Sequence, residues 1–240
     1  MSNFVIDNKI KVKDKVDMIQ SLTDIEIATK IVDEIKDSQE DIHETYYKKL
    51  NCNLRHIESH ENVYSIIQKY LVNTTKDNPY QTIEIINAFE IEKQNDKENF
   101  VNYGNRKLLW HGSRITNFVG ILSQGLRIAP PEAPVSGYLF GKGVYFADMA
   151  AKSACYCYPS NNVALIMLCE VSLGNPRELN TTDHNAASLP ANCHSTKGNG
   201  KTIPSEEIDF EDGIKVPLGT PTSSSHDVRI KNFILDLSRI

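Results

Sequence analysis

The amino-acid sequence predicts an α+β protein, and three observations lead to that class. Amphipathic helical stretches are concentrated in the first third of the chain. Beyond them, short apolar runs of strand length recur. The connections between those runs are irregular and hold few helices, which does not suit the crossovers of a parallel βαβ sheet. No internal repeat is present.

The helical part comes first. Thr23 followed by Glu26 reads as a capping box, and Ile25, Ala28, Ile31, Val32 and Ile35 recur at helical spacing behind it. A second stripe follows Ser59 through Val63, Ile66, Ile67, Tyr70 and Leu71. Two packed helices are the simplest reading, so residues before about Asn78 are expected to be mostly helix. Asn73 to Tyr80 is a polar, proline-containing break, and it divides the chain into residues 1–77 and 78–240.

Strands dominate after the break. Thr82 to Glu92 alternates in the manner of a half-buried strand. Lys107 to Trp110 is a short strand running into His111-Gly112-Ser113. Thr116 to Gln124 is expected as a short helix, with Thr116 as its N-cap and Gly125 as a left-handed C-terminal cap. Ile128 to Pro134 contains three prolines and reads as a stiff extended loop. Val144 to Phe146 is a strand, and Asp148 to Tyr156 a helix capped by Asp148. A buried strand lies within Asn162 to Leu173. Asn180 to Glu207 shows no periodicity, and Val216 to Leu218 and Phe233 to Leu237 close the chain as short strands.

Composition narrows the function classes. The 240 residues carry a net charge of −5 and no long basic run, which argues against nucleic-acid affinity from this segment. No stretch approaches the ~18 consecutive apolar residues of a membrane span. The first residues lack a signal-peptide core. Five cysteines, Cys52, Cys155, Cys157, Cys169 and Cys193, have no framework spacing, and a reduced intracellular compartment fits them best.

Chemistry-bearing residues cluster between Lys107 and Tyr158. His111 sits between a strand and Gly112, where an imidazole can donate to a ribose hydroxyl and a bare backbone can meet a ligand edge. Its alternative is a strand-end histidine satisfied by the main chain. Tyr145 and Tyr156, with Ser153 one turn before the latter, could hold a planar carboxamide between two aromatic faces. Both tyrosines could equally be core residues with satisfied hydroxyls. Lys197 to Thr202 falls short of a phosphate-binding loop, because Ser195 stands where that motif needs glycine. Cys155 and Cys157 are one residue apart, the wrong spacing for a usual zinc site, so no metal is expected. Ser223 to Ser225, beside His226-Asp227, reads as a flexible loop rather than hydrolase machinery.

The motifs resemble those of the poly(ADP-ribose) polymerase catalytic domain. The matching phrases are L-L-W-H-G-S-R at Leu108 to Arg114, G-I-L-S-Q-G-L-R-I-A-P-P-E-A-P at Gly120 to Pro134, G-Y-L-F-G-K-G-V-Y-F-A-D at Gly137 to Asp148, and K-S-A-C-Y at Lys152 to Tyr156. H-S-T-K-G-N-G-K at His194 to Lys201 and V-P-L-G-T at Val216 to Thr220 also match. The resemblance extends back to K-V-D-M-I-Q-S-L-T-D-I-E-I-A, which looks like the later helices of a regulatory helical subdomain. It implies an ADP-ribosyltransferase-type fold with an antiparallel or mixed split sheet, over about residues 78–240. It implies NAD+ as substrate, no metal, and transfer of ADP-ribose to a protein acceptor. His111 would hold the adenosine ribose, Gly112 and Ser153 the carboxamide, and Tyr145 and Tyr156 the nicotinamide ring. Ser113, Asn117, Gly120 and Arg127 would line the adenosine side, with Lys152 near the site. Neither DNA nor a membrane is an expected partner of this segment, and the location is nuclear by analogy or cytoplasmic.

Two departures stand beside the match. The family's elongation-favouring glutamate precedes a late strand, and aligning Phe233 to Asp236 with that strand puts Lys231 in its place. A cation there opposes a reaction centre that itself becomes cationic, by about 4 kcal/mol for unit charges ~4 Å apart at an effective dielectric near 20. The family's usual end also lies about one strand beyond Ile240. The first reading is therefore an NAD+-dependent transferase, limited to mono-ADP-ribosylation under the stricter form of that reading. The second is an inactive relative that binds NAD+ or a partner.

Overall fold

Strand β3, Arg106–Gly112, is the member around which the fold is built. Side chains alternate along a strand, so β3 serves two cores at once. Leu109 points into a cluster with Val144, Phe146, Val171 and Leu173. Leu108 and Trp110 face the other way, onto Tyr70, Leu71, Ala150, Val216 and Leu218. The computed structural model describes residues 22, 25–26, 29–30, 41–76, 82–93, 96–128, 138–225 and 232–235.

Two four-stranded sheets meet at β3. The first has the order β5–β3–β10–β9, with β5 at Ile166–Ser172, β9 at Ile208–Asp209 and β10 at Lys215–Val216. β5 runs antiparallel to β3 from Arg106↔Ser172 to Gly112↔Ile166, while β10 is parallel to it. The second has the order β4–β12–β7–β6, with β4 at Val144–Phe146, β6 at Pro176–Leu179, β7 at Ser195–Gly198 and β12 at Asn232–Leu235. One bridge joins the sheets: Trp110 and Ala147 exchange backbone hydrogen bonds of 2.8 and 2.9 Å. The result is an α+β split sheet with mixed strand directions, as expected for the fold class.

Helix α2, Asn62–Thr75, lies across the Trp110 face. Its stripe of Ile66, Ile67, Tyr70 and Leu71 packs into that core, and fully burying side chains of this size stabilises by roughly 1.5–3 kcal/mol each. The Tyr70 ring lies 4.9 Å from that of Trp110. Polar anchors fix its position. The Tyr70 hydroxyl donates to the Leu108 carbonyl at 3.2 Å, and Asn73 Nδ2 to the Leu218 carbonyl at 2.7 Å. The Thr74 hydroxyl accepts the Ala150 amide at 3.1 Å. Thus α2 precedes residue 78 in sequence yet forms part of the core of the sheets that follow.

Several local expectations need correction. The described part of the mostly helical segment before residue 78 also holds a strand: α1, Ile42–Lys49, is capped by Asp41, and Cys52–His56 is strand β1. It pairs antiparallel with β2, Phe89–Lys93, which is the only described strand in the Thr82–Glu92 stretch and is mostly exposed. Thr116 is not an N-cap. It sits inside a 3-10 turn, Ile115–Asn117, that leads directly into helix α4, Phe118–Gln124. Gly125 does end α4, at φ 83°, with its amide donating to the Ile121 carbonyl. Asp148 is not the N-cap residue of α5, which spans Ala150–Ala154 with Met149 as N-cap, and the first amide of the helix goes to Thr74. The stretch expected to be featureless contains β7 and β8, Thr202–Pro204, the latter paired with β11, Pro221–Ser223. Thr23 of the capping box, Ala28, Ile31, Val32 and Ile35 of the first stripe, the proline loop from residue 129 onward, and His226-Asp227 lie outside the described residues.

Candidate active site

The site forms where β3 leaves the sheet, beside β4 and α5. His111 shares its strand face with Leu109, so its imidazole lies over β4 and packs 5.7 Å from the Phe146 ring. Nδ1 is 2.9 Å from the Tyr145 carbonyl oxygen. A carbonyl can only accept, so Nδ1 carries the proton and, in the neutral ring, Nε2 is left as an acceptor. Burial lowers the His111 pKa below its ordinary value, and the bond to Tyr145 only partly opposes this. A neutral imidazole with an acceptor at Nε2 suits a ligand hydroxyl as donor, the reverse of an imidazole that donates.

Gly112 points to the other face, toward α5. A Cβ built there would lie 1.8 Å from the Ser153 carbonyl oxygen and 3.2 Å from Cys157 Sγ. The glycine is therefore required by close approach of the helix backbone, whatever ligand it also meets. Ser153 is buried, and its hydroxyl donates to the Trp110 carbonyl at 2.9 Å. That proton is committed, while the hydroxyl oxygen retains accepting capacity.

Tyr145 is locked from the opposite side. Its hydroxyl donates to the Gly141 carbonyl at 2.6 Å and accepts the Phe140 amide at 3.2 Å. Burial raises its pKa well beyond the ordinary phenol value; the Phe140 amide opposes this, and neighbouring Tyr138 and Tyr156 add to it. Tyr156 follows α5 in a turn closed by its amide on the Ser153 carbonyl at 3.0 Å, and its side chain is 41% exposed. An exposed aromatic ring near a partly buried one suits a planar ligand entering between them.

The first residues past β3 complete the group. Asn117 Nδ2 donates to Ser113 Oγ at 3.0 Å, and the Thr116 hydroxyl donates to Asn117 Oδ1 at 3.2 Å. Gly120 is buried in α4, Arg127 is exposed just beyond that helix, and Lys152 is half-buried on α5 beside Ser153. The structure thus gathers His111, Gly112, Ser113, Asn117, Tyr145, Ser153 and Tyr156 at one corner, with Gly120, Arg127 and Lys152 on its flanking elements. Lys231 lies outside the described residues, one position before β12. β12 itself pairs with β4, Ile234 opposite Tyr145.

Sequence reasoning missed three members. Cys157 Sγ donates to the Ser153 carbonyl at 3.5 Å, and Arg114 lies over the Tyr158 ring. Thr74 reaches α5 from a remote helix, which no local signal could reveal. The two cysteines drew attention only as metal ligands, and among the described residues no group of three or more metal-ligating side chains occurs. A polar recess of about 320 Å³ opens elsewhere, lined in part by Lys107, Asp148, Glu178, Lys197 and Glu207. No gathered site residue lines it, and Lys107 pairs there with Glu207 and Lys197 with Glu178. Among the described residues no helix is long and apolar enough to cross a membrane.

Known proteins match along most of the chain. A family model described as "Poly(ADP-ribose) polymerase catalytic domain" matches residues 60–234. "Poly [ADP-ribose] polymerase 2" of Arabidopsis thaliana is 48% identical over 233 residues, covering 94% of this chain and 37% of that protein. "Poly [ADP-ribose] polymerase 2-A" of Oryza sativa subsp. japonica is 47% identical over 229 residues, covering 92% and 35%. "Poly [ADP-ribose] polymerase 2" of Homo sapiens is 44% identical over 214 residues, covering 87% and 37%. The chain therefore spans 35% to 37% of the length of these curated relatives.

Proposed function

The chain belongs to the poly(ADP-ribose) polymerase catalytic-domain family, and from that premise we propose that it is an NAD+-dependent protein ADP-ribosyltransferase. An acceptor side chain attacks C1′ of the nicotinamide ribose. The C1′–N bond breaks, its electron pair leaves with nicotinamide, and the acceptor's proton passes to solvent. The transition state has oxocarbenium character, so groups that hold the ribose and the leaving amide in register lower the barrier.

One observation carries the proposal: His111 is neutral, partly buried and oriented by Tyr145, at the corner where Gly112, Ser153 and Tyr156 also meet. In this reading Nε2 of His111 accepts from the adenosine ribose. The backbone of Gly112 and the Ser153 hydroxyl engage the carboxamide, and Tyr145 and Tyr156 flank the ring. Ser113, Asn117, Gly120 and Arg127 take the adenosine side, and Lys152 stands near the site. The proposed organisation is a helical regulatory portion before about residue 78 and a transferase portion of residues 78–240. The acceptor is a protein, no metal takes part, and the working location is the nucleus.

Lys231 favours a second reading, an inactive relative that binds NAD+ or a partner. Its ammonium would stand where the family's glutamate stabilises positive charge, and ~4 kcal/mol of repulsion corresponds to roughly a thousandfold in rate. The same charge argues for mono- over poly-ADP-ribosylation in an active enzyme. Incubating the chain and a Lys231→Glu variant with adenylate-labelled NAD+ separates the readings. Protein-bound label from the parent supports the transferase and excludes the inactive relative. Binding of NAD+ with no label from the parent excludes the transferase.

A further inference from the structure

Two contacts join the end of β3 and the loop after it to the turn after α5. Arg114 places its guanidinium 3.7 Å from the centroid of the Tyr158 ring, well inside cation–π range. Tyr158 is 48% exposed, yet its backbone is left-handed at φ 47°. A bulky side chain adopts that conformation only where its surroundings enforce it. One residue earlier the Cys157 thiol is buried beneath Gly112. Its Sγ donates to the Ser153 carbonyl at 3.5 Å and lies against Gly112, where a Cβ would come within 3.2 Å of it. Burial pushes this thiol up to about 11, so it keeps the proton that the Ser153 bond needs at neutral pH. Asn161 and Asn162 are also left-handed, at φ 50° and 61°, and fold the chain back beyond the turn.

Both contacts bracket the candidate pocket. Ser113 and Arg114 open the adenosine side, while Ser153, Tyr156 and Tyr158 carry the nicotinamide side. Tyr156 is tethered before by Ser153 and after by Cys157 and Tyr158; Cys157 is packed beneath Gly112, and Tyr158 is pinned by Arg114. Its position therefore follows theirs.

We propose that Cys157 and the Arg114–Tyr158 stack form a clasp that sets the distance between the two halves of the NAD+ site, acting as positioning residues without touching the ligand. The inference rests on the NAD+ reading above. A ligand that spans both halves responds to that distance, whereas a ligand confined to one half does not.

The test uses the 240-residue chain and calorimetric titration with three probes: NAD+, nicotinamide and ADP-ribose. Arg114→Ala removes the cation. Tyr158→Gly removes the ring while leaving the left-handed backbone at ease, so its effect reports the stack rather than strain. Both variants should bind NAD+ roughly three- to tenfold more weakly, the size of a partly exposed to desolvated cation–π contact. Nicotinamide and ADP-ribose should bind with parental affinity, and Tyr158→Phe, which keeps the ring, should behave as the parent for all three. Unchanged NAD+ affinity in both variants overturns the clasp, as does equal weakening of all three probes, which would mark a general loosening. If the parent binds none of the probes, the NAD+ reading itself falls and the clasp with it.

Discussion

His111 concentrates the chemistry of the site in one ring nitrogen. With Nδ1 bound to a carbonyl, only the neutral ring offers an acceptor at Nε2. Its folded pKa is lowered from the model-peptide value of 6.5, so folding favours the neutral form. The neutral form is fully present above that value, and the favourable linkage is lost as pH falls through the lower folded value. NAD+ affinity should therefore stay level from about pH 8 to about 6.5 and decline in more acidic solution, followed by calorimetry across that range. A His111→Ala variant should bind more weakly by roughly tenfold at neutral pH, the loss of one buried hydrogen bond, and should lose the acidic decline. Gly112 makes a sharper steric statement. Gly112→Ala puts a methyl 1.8 Å from the Ser153 carbonyl, so α5 must move or the strand must bend. Overpacking of this kind costs about 1–3 kcal/mol or more, and thermal melting should show a clear drop in Tm.

At the scale of elements, α2 supports the site without touching it. Thr74 is fully buried, and its hydroxyl satisfies the first amide of α5, the short helix that carries Ser153. Thr74→Val keeps the shape and leaves the Ala150 amide buried and unpaired, at a cost of about 1–3 kcal/mol readable by denaturant unfolding. The elements that were legible in the sequence owe it to local pattern. β3, β4 and β5 are apolar runs bounded by glycine or polar turns, and α2 keeps a clean helical stripe. β7 escaped notice because its residues, Ser-Thr-Lys-Gly, are polar although Ser195 and Thr196 are buried. The Ser195 hydroxyl donates to the Leu173 carbonyl and that of Thr196 to the Ala186 carbonyl, so tertiary partners make the burial tolerable. Thr116 failed as a cap for a related reason: a 3-10 turn extends α4 backward and places it inside the helical run. Among site residues, His111, Gly112, Ser153 and the two tyrosines were legible because a glycine or an aromatic stood out beside a strand end. Cys157 and Arg114 were not, because their roles come from a contact between two loops that sequence order keeps apart.

Across the whole molecule, burial sorts the cysteines. Cys155 is exposed, whereas Cys52, Cys157 and Cys193 are buried and Cys169 lies partly covered in β5. Desolvation pushes Cys157 up to about 11 and Cys169 up to about 12, far from the thiolate form at neutral pH. Thiol titration of the native chain at pH 7.5 should modify Cys155 rapidly and leave Cys157 and Cys169 until the protein unfolds, as mapped by peptide mass spectrometry. Two sheets joined at the Trp110–Ala147 bridge place the candidate site at their junction, so the strands that stabilise the fold are also those that carry the candidate site residues. The central claim is that this junction binds NAD+ and cleaves its nicotinamide bond. A time course of nicotinamide released from NAD+ by the parent chain, with His111→Ala alongside, tests it most directly. Release that is linear in enzyme concentration and reduced in the variant is expected, whereas no release from a parent chain that demonstrably binds NAD+ rules out the transferase.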